Sequence, residues 1–420
     1  MGKQNFRQSL LALVLLSVLS GCMFSRLEQD LERLGGVIHE FAGEVSTDGD
    51  ETDGFVVLAL RDNQGEQIAA FRMIAGPGPF RIRSDPSPLY FFCFDDLNRD
   101  LKFQADEPYA WANSGQTIDP SNDETDDIRI AVSMTDNNRL AYPPALIDEP
   151  LENHFSDNVR IHIGTVSSLD NPWFSEDQAT KGLWQPFQFM EDGGAGIHFL
   201  EPYDPDKTPV LFVHGILDSP RTFQPLIERI DPSKYQVWVY SYPSGLRLSF
   251  LAGGMYRFLE ILHRRHRFDD LHVIAHSMGG LVSRGGINRC SEENICSYLR
   301  SYTTISVPWS GVPSAATGVR RAPAVVPVWL DLDPASDYVT TLFDTPMPNE
   351  VPYQLLFGFR RSSFFGSDSS DGVISLSSQL RLAAQEQAQL LRGLDEGHIS
   401  ILSNEVVGRL INEFLNQESQ

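Results

Sequence analysis

Residues 271–282 read LHVIAHSMGGLV, and this stretch decides the fold of the larger part of the chain. An apolar strand leads into Ser277, and a helix-forming stretch follows. Small residues flank the serine, with Ala275 two positions before it and Gly279 two positions after it. A sharp strand-to-helix turn requires small residues there, because the backbone passes close to its neighbours. Such a turn holds the Ser277 hydroxyl at the carboxyl end of the strand.

The sequence on both sides of this turn alternates between apolar runs and helix-length amphipathic stretches such as 253–267. The apolar runs lie at 209–213, 236–242, 271–275 and 302–307. This alternation predicts βαβ units and a parallel sheet that helices cover on both faces. A strand at 353–359 and a final helix at about 400–416 extend the pattern.

A serine that acts as a nucleophile needs a general base, and that base needs an orienting carboxylate. Downstream of Ser277 the chain contains a single histidine, His398. The acid is less constrained. Asp371 is favoured because its segment, SSDGVISL at 369–376 after a predicted strand, closely resembles the stretch that carries the acid in lipases. Rival aspartates are Asp331, Asp333, Asp337, Asp344 and Asp368.

Residues 183–416 resemble the lipase and esterase branch of the α/β-hydrolase superfamily. The resemblance rests on the His-Gly loop after 210–213, the Ser277 turn, the order Ser-Asp-His and the segment YPSG at 242–245. The family usually has glycine where this chain has Ala275. The resemblance implies an α/β-hydrolase fold and hydrolysis of carboxylic esters through an acyl-enzyme, with no metal or organic cofactor for catalysis.

The same resemblance assigns roles to individual residues. Ser277 would be the nucleophile, His398 the base and Asp371 the acid that orients it. The backbone N–H groups of Ile216 and Met278 would form the oxyanion hole. For His214 we expect a role in ordering its loop by hydrogen bonding.

A predicted insertion at about 308–350 interrupts the hydrolase domain, which we place at 155–420. The insertion is rich in proline and in apolar residues such as Trp309, Val326 and Trp329. It would form a cap that lines a pocket for medium or long acyl chains, or it would simply pack on the sheet.

The first 22 residues begin with Lys3 and Arg7, continue with an apolar run and end in LSGC. The run is too short to span a bilayer comfortably. Small residues directly before Cys22 resemble the lipobox of bacterial lipoproteins, in which this cysteine is acylated. The resemblance implies a lipid anchor in the bacterial cell envelope. An aspartate directly after the cysteine retains many such lipoproteins at the inner membrane. Because this chain has Met23 there, the resemblance favours the outer membrane.

Residues 37–145 consist of short Val-, Ile- and Phe-rich segments separated by Gly, Pro, Asn and Asp, which predicts an antiparallel β-sandwich. Residues 54–112 resemble transthyretin-like or carboxypeptidase-regulatory-like modules. Within them Asp96, Asn98, Asp100 and Glu107 have the 1, 3, 5, 12 spacing of a calcium loop. An EF-hand is excluded, because Leu101 stands where it needs glycine. Two interpretations of this segment stay open: a loop that binds a structural Ca²⁺, and a solvated acidic loop without a metal.

The chain of 420 residues carries a formal net charge of −23, which argues against nucleic-acid partners because phosphate contacts need clustered Lys and Arg. Export permits a disulfide between Cys290 and Cys296. Cys93 is expected to be a buried small hydrophobe.

These observations favour an exported, lipid-anchored serine hydrolase that cleaves lipid-like acyl esters. One alternative is a surface binding or adhesion protein on an inactive hydrolase scaffold. A thioesterase, amidase or acyltransferase with the same three residues is another.

Overall fold

The computed structural model describes residues 23–33, 39–49, 52, 54–84, 86–121, 127–133, 140–149, 151, 161–292, 296–348, 351–360 and 369–417. The predicted signal segment 1–22, with Cys22, lies outside them. The chain divides into two compact units: Leu31–Arg160 forms one, and residues up to Asp30 together with those from Ile161 onward form the other. Within the described parts, no helix has both the length and the apolar content to cross a membrane.

The smaller unit is a sandwich of two sheets. Its strands are β1 (His39–Thr47), β2 (Phe55–Leu60), β3 (Ile68–Ile74), β4 (Gly78–Ser84), β5 (Tyr90–Asp95), β6 (Tyr109–Trp111) and β7 (Ile128–Val132). One sheet has the order β4-β1-β7 and the other β3-β2-β5-β6. Inward-facing apolar side chains of both sheets, including Phe41, Ile82, Val57 and Phe91, form one core. Cys93 is free and buried in that core, as predicted.

One strand pair of the sandwich departs from the predicted antiparallel pattern. β1 pairs with β7 in parallel, whereas every other named strand pair of this unit is antiparallel. A parallel pair cannot be closed by a tight hairpin and needs a long connection. Here the connection between β1 and β7 contains the whole four-stranded sheet. The sequence near either strand therefore does not indicate that the two strands pair.

The larger unit contains an eight-stranded sheet flanked by helices. Its strands are β8 (Ile161–Val166), β9 (Ala195–Phe199), β10 (Thr208–Val213), β11 (Tyr235–Ser241), β12 (Leu271–His276), β13 (Leu299–Ile305), β14 (Tyr353–Gly358) and β15 (Leu390–Leu394). Its helices are the part of α1 (residues 23–33) up to Asp30, then α2 (Glu176–Trp184), α3 (Pro186–Glu191), α4 (Gln224–Ile227), α5 (Leu248–His266), α6 (Met278–Glu292), α7 (Pro313–Arg321), α8 (Pro327–Leu332), α9 (Asp337–Thr341), α10 (Leu376–Gln379), α11 (Leu382–Gln387) and α12 (Glu405–Gln417).

The strand order is β15-β14-β13-β12-β10-β11-β9-β8. β10 to β15 are mutually parallel, whereas β9 runs antiparallel to β11 and β8 follows the direction of β9. This is the predicted α/β-hydrolase fold. The four predicted apolar runs correspond to β10, β11, β12 and β13, whose residues are almost all buried.

Side chains of the central strands alternate between the two faces of the sheet. Phe212 and Ile274 pack with residues of α12 such as Ile411 in one buried cluster. Leu271 and Val273 line a small apolar gap together with residues of α5 and α6. Helices therefore cover both faces, and the carboxyl ends of the strands form the edge from which the loops discussed below project.

Candidate active site

The turn after β12 carries Ser277 in a left-handed conformation, with φ at 53°. A left-handed serine is strained and is held by its surroundings. The Ser277 N–H donates to the Ile305 carbonyl at 2.9 Å. A Cβ on Gly279 would lie 2.2 Å from the Val213 carbonyl oxygen, so the backbone tolerates only glycine there. Gly279, which the sequence places two residues after the serine, is thus explained by a close backbone contact.

Three side chains that come from distant parts of the sequence meet at this turn. Ser277 Oγ lies 2.9 Å from His398 Nε2, and His398 Nδ1 lies 2.7 Å from Asp371 Oδ2. His398 also donates its backbone N–H to the Asp371 carbonyl at 2.9 Å. All three side chains are buried, with exposures of 5%, 8% and 2% for Ser277, His398 and Asp371. The arrangement is a continuous relay from hydroxyl to imidazole to carboxylate.

Asp371 is held as an acceptor by its own loop. Its Oδ1 accepts the N–H groups of Val373 at 2.9 Å and Ile374 at 2.7 Å. Burial by itself raises the pKa of this carboxyl. The hydrogen bond to His398, its charge and the two backbone donors outweigh burial and lower the pKa from its usual value. Asp371 is therefore ionised at neutral pH.

The rival aspartates lie elsewhere. Asp331 is buried, but both its oxygens accept hydrogen bonds at the start of α5. Oδ1 lies 2.6 Å from the Arg247 guanidinium, and Oδ2 accepts the Leu248 N–H at 2.6 Å. Asp333 accepts a backbone N–H within its own turn. Asp337 and Asp344 are exposed, and Asp368 lies outside the described residues.

The loop after β10 passes directly over Ser277. A Cβ on Gly215 would lie 3.0 Å from the serine Cβ, so glycine is what allows this approach. Within the described part of the chain the N–H groups of Ile216 and Met278 donate to no protein acceptor. Two free backbone donors next to a serine hydroxyl are what an oxyanion hole requires.

The segment after β11 supports this loop. The Tyr242 hydroxyl donates to the His214 carbonyl, and the Tyr242 and His214 rings stack with centroids 4.2 Å apart. Ser244 Oγ accepts the N–H of Leu217 at 3.1 Å. His214 Nδ1 lies 2.9 Å from the Gly215 carbonyl, so His214 is part of the loop's hydrogen bonding. Burial lowers the pKa of His214 to about 4, which keeps it neutral.

His276, the residue before the serine, was not singled out from the sequence. Its Nε2 lies 2.9 Å from the His398 carbonyl and must carry the proton to donate to it. Its Nδ1 has no hydrogen-bond partner among the described residues. Burial and the nearby His398 lower the pKa of His276 to about 3, so it stays neutral. Its contact ties the strand that carries the serine to the loop that carries the base.

Asp218 is a second acidic side chain in the site that was missed as a functional candidate. Burial raises its pKa to about 6 although it accepts the Ser219 N–H at 2.8 Å. Its Oδ2 is buried without a partner in the described residues. The charge of His398 lowers the pKa of Asp218, so the two groups lie within electrostatic reach.

A cavity of about 610 Å³ opens onto Ser277 and His398. Seven of the residues that line it come from the predicted cap, namely Pro308, Val312, Ser314, Ala315, Gly318, Trp329 and Leu332. An ion pair and a backbone hydrogen bond attach the cap to the rest of the unit: Arg247 pairs with Asp331, and the Val328 N–H donates to the Gly245 carbonyl at 3.0 Å. The cavity can hold an apolar chain beside the serine.

The predicted calcium residues lie in one loop of the sandwich. Asp96 and Glu107 are buried, and their oxygens accept N–H groups of the loop itself. Asn98 and Asp100 are exposed. Burial raises the pKa of Glu107 to about 8. No group of three or more His, Cys, Asp or Glu in the described residues is arranged to hold a metal. A structural Ca²⁺ bound by these residues therefore stays a prediction.

The cysteine predictions differ in outcome. Cys290 is disulfide-bonded. The side chain of Cys296 lies outside the described residues, so its pairing with Cys290 stays a prediction. The same holds for lipidation of Cys22.

No protein-family model matches the chain, and no curated protein does. Among solved structures, the mature form of lipase BlEst2 from Bacillus licheniformis is similar at 15% identity, covering 53% of this chain and 97% of that one with a TM-score of 0.41. Aspergillus fumigatus lipase B is 14% identical, covering 52% and 56% with a TM-score of 0.39. A carboxylesterase of the thaumarchaeon Nitrososphaera gargenis is 12% identical, covering 53% and 95% with a TM-score of 0.37.

Proposed function

We propose that this protein is an exported serine hydrolase that cleaves carboxylic esters with lipid-like acyl groups through an acyl-enzyme. The observation that carries the proposal is the relay of Ser277, His398 and Asp371 at the mouth of an apolar cavity. A strained serine, a buried imidazole and a buried ionised carboxylate in hydrogen-bond contact are the parts of a nucleophilic triad.

In the first half of the reaction His398 Nε2 accepts the proton from Ser277 Oγ as the oxygen attacks the ester carbonyl carbon. Asp371 holds the proton on His398 Nδ1 and stabilises the imidazolium that forms. The N–H groups of Ile216 and Met278 stabilise the negative oxygen of the tetrahedral intermediate. The imidazolium then gives its proton to the departing alcohol oxygen, which leaves the acyl group on Ser277.

In the second half a water molecule attacks the acyl-enzyme while His398 takes its proton. Collapse of the second tetrahedral intermediate returns the proton to Ser277 Oγ and releases the carboxylic acid. The protein groups needed for both halves are the same, because the imidazole alternates between base and acid.

The cavity supports an acyl substrate of medium length. Its volume of about 610 Å³ lies within the range of about 300–1,000 Å³ that is usual for sites that bind small organic ligands. The lining by Val312, Ala315, Trp329 and Leu332 favours an apolar chain. We further propose that acylation of Cys22 anchors the protein to the outer membrane, with the cavity outside the cytoplasm.

The test is turnover of p-nitrophenyl esters of graded acyl length by the chain without residues 1–22, beside Ser277→Ala. We expect hydrolysis by the wild type, highest for medium acyl groups, and covalent labelling by a fluorophosphonate. Both should be lost in Ser277→Ala. Labelling without ester turnover would redirect the assignment to thioester, amide or acyl-transfer chemistry. Absence of labelling would leave an inactive scaffold with a binding role.

A further inference from the structure

The short helix α10 follows the loop that carries Asp371, and its last residue is Gln379. The Gln379 side chain is buried, with an exposure of 1%. A buried amide costs free energy unless its donors and its acceptor find partners. The partners of the Gln379 amide therefore show which parts of the catalytic unit this side chain connects.

The Gln379 amide forms hydrogen bonds with both backbone groups of Gly358, the last residue of β14. Its Oε1 accepts the Gly358 N–H at 3.2 Å, and its Nε2 donates to the Gly358 carbonyl at 3.1 Å. Nε2 also donates to the Ile374 carbonyl at 3.1 Å. If the amide were turned over, its N–H groups would face the Gly358 N–H and its oxygen would face two carbonyls. Only one orientation of the amide therefore fits these partners.

Ile374 in turn holds the Asp371 carboxylate. The Ile374 N–H donates to Asp371 Oδ1 at 2.7 Å, and the Ile374 carbonyl accepts the Asp371 N–H at 3.2 Å. The other oxygen of the carboxylate, Oδ2, lies 2.7 Å from His398 Nδ1. A continuous path of hydrogen bonds thus runs from β14 through Gln379 and Ile374 to Asp371 and the base.

Residues 371–374, which we name the acid turn, have little support from packing at their centre. Gly372 is exposed, with φ at 96°, and Val373 is 62% exposed. A segment with few buried contacts depends on its hydrogen bonds for a fixed conformation. Gln379 supplies two of these anchoring contacts at once, because it ties the carbonyl of Ile374, at the end of the turn, to a strand of the eight-stranded sheet.

We propose that Gln379 is a positioning residue, which aligns the Asp371 carboxylate with His398 by fixing the Ile374 end of the acid turn to β14. The inference rests on the proposed function for the role of the relay and adds a residue outside the relay. A catalytic group displaced by about 1 Å loses up to about a hundredfold in rate. Gln379 is not among the described residues that line the cavity, so the loss should fall on kcat rather than on KM.

The experiment measures kcat and KM for p-nitrophenyl butyrate, with the active enzyme counted by fluorophosphonate labelling. Gln379→Met removes the amide at similar length. Gln379→Glu keeps an acceptor for the Gly358 N–H but, when ionised, has no donor for either carbonyl. Both variants should lower kcat about tenfold or more and leave KM within about twofold of the wild-type value. Agreement between an apolar and a charged replacement would assign the loss to the missing donors.

A double-mutant cycle separates positioning from a general structural role. Asp371→Ala has no carboxylate to align, so adding Gln379→Met to it should lower the residual kcat by no more than about twofold. A residue that only stabilises the fold would cost the same factor in both backgrounds. An equal loss of kcat with and without the Asp371 carboxylate would overturn the inference.

Ser378→Ala is the matched control on the same helix. Ser378 is 4% exposed, and its Oγ donates to the Gly311 carbonyl at 2.8 Å and accepts the Ser310 N–H at 3.2 Å. Neither partner belongs to the acid turn. The variant therefore removes buried hydrogen bonds from α10 while the acid turn keeps its own. It should keep kcat within about twofold of wild type, and a loss equal to that of Gln379→Met would contradict the proposal.

Proton NMR tests the alignment without turnover. The proton between His398 Nδ1 and Asp371 Oδ2 lies in a short hydrogen bond to an ionised carboxylate and should resonate far downfield of the amide protons. Asp371→Ala, which removes the resonance, assigns it. The resonance should move upfield or broaden beyond detection in Gln379→Met and stay in place in Ser378→Ala.

An unchanged resonance in Gln379→Met would overturn the inference. Absence of both turnover and fluorophosphonate labelling in the wild type would instead refute the proposed function. The resonance would in that case still decide whether Gln379 aligns the carboxylate with the imidazole.

Discussion

At the residue scale the relay of Ser277, His398 and Asp371 predicts graded losses of activity. Ser277→Ala removes the nucleophile. Asp371→Asn keeps the shape but cannot hold the proton on His398 Nδ1, so kcat/KM should fall by about 10³- to 10⁴-fold. Asp344→Asn, which alters an exposed rival acid, is the control and should keep the wild-type rate. The measurement is kcat/KM for p-nitrophenyl butyrate. An equal loss in Asp344→Asn and Asp371→Asn would contradict the assignment of the acid.

His276 is predicted to position the base through the His398 carbonyl. His276→Leu removes that donor while it keeps the bulk of the side chain. A small displacement of a catalytic group costs up to about a hundredfold in rate, so kcat should fall by roughly ten- to a hundredfold with KM little changed. In His276→Gln the amide nitrogen reaches about as far as Nε2 and should restore most of kcat.

A matched control for His276 lies on the same strand. His272 is also buried, with its Nδ1 2.7 Å from Ser301 Oγ, and in the part of the chain that the structure describes its side chain has no hydrogen bond to Ser277, Asp371 or His398. His272→Leu should lower stability and leave kcat close to wild type. If His276→Gln were as slow as His276→Leu, the donor at this position would have no role in rate.

Asp218 predicts a pH dependence of stability. Its pKa is about 6 in the folded protein, against an ordinary value of 3.8. The folded state therefore holds the extra proton between about pH 4 and pH 6, and wild-type stability at this site declines as pH rises through that window. Asp218→Asn has no such charge. Its free energy of unfolding relative to wild type should rise by about 2–3 kcal/mol from pH 4 to pH 7 and then level off.

Urea unfolding at a series of pH values measures this difference. Asp206→Asn alters an exposed aspartate in the turn before β10 and provides the baseline. Its difference from wild type should stay flat across the same range. A flat difference for Asp218→Asn as well would mean that the Asp218 carboxyl is not destabilised by burial.

The sequence predicts Ser277 and His398 as site residues, but it does not predict His276 and Asp218. Ser277 sits in a local strand-to-helix pattern, and His398 is the single histidine that follows it. Neither inference needs a three-dimensional contact. His276 and Asp218 look like ordinary polar residues, because what distinguishes them is a carbonyl 122 residues away and a buried oxygen without a partner. Such features arise only when the chain is folded.

At the element scale α7 predicts how acyl length is selected. Ala315 is buried and lines the cavity, whereas Ala316 on the same helix does not line it. Ala315→Leu adds three carbons to the cavity wall and should reduce kcat/KM for decanoate esters at least tenfold more than for butyrate. Ala316→Leu should leave the ratio of the two rates unchanged. Measuring both esters with both variants tests the cap as the acyl wall.

The elements differ in predictability for physical reasons. β10 to β13 are buried on both faces, and their continuous apolar runs predict strands of this kind. β8 lies at the edge of the sheet with half-exposed side chains, so its sequence lacks that signal. The parallel pairing of β1 with β7 depends on strands more than eighty residues apart and was wrongly predicted as antiparallel. The apolar pattern of a strand indicates which of its faces are buried. Which strands pair, and in which direction, depends on how the whole chain is connected.

At the scale of the whole molecule, the two units each have a buried apolar core of their own. A unit with its own core can unfold as a separate cooperative transition. A ligand that binds only the folded form of one unit raises the stability of that unit alone. The catalytic relay lies entirely in the larger unit, so the site and the sandwich should be separable in a melting experiment.

We therefore predict two transitions in differential scanning calorimetry of the chain without residues 1–22. The transition with the larger enthalpy should belong to the larger unit. Reaction of Ser277 with a fluorophosphonate should raise the midpoint temperature of that transition by several degrees and leave the midpoint of the other transition unchanged. Leu58→Ala, at a fully buried position of β2, should lower only the smaller transition, because truncation of a fully buried leucine to alanine costs about 2–5 kcal/mol. Ser277→Ala treated with fluorophosphonate is the control and should show no shift. A single transition that both changes move together would mean that the two cores unfold as one, and ester turnover would then depend on the sandwich for its stability.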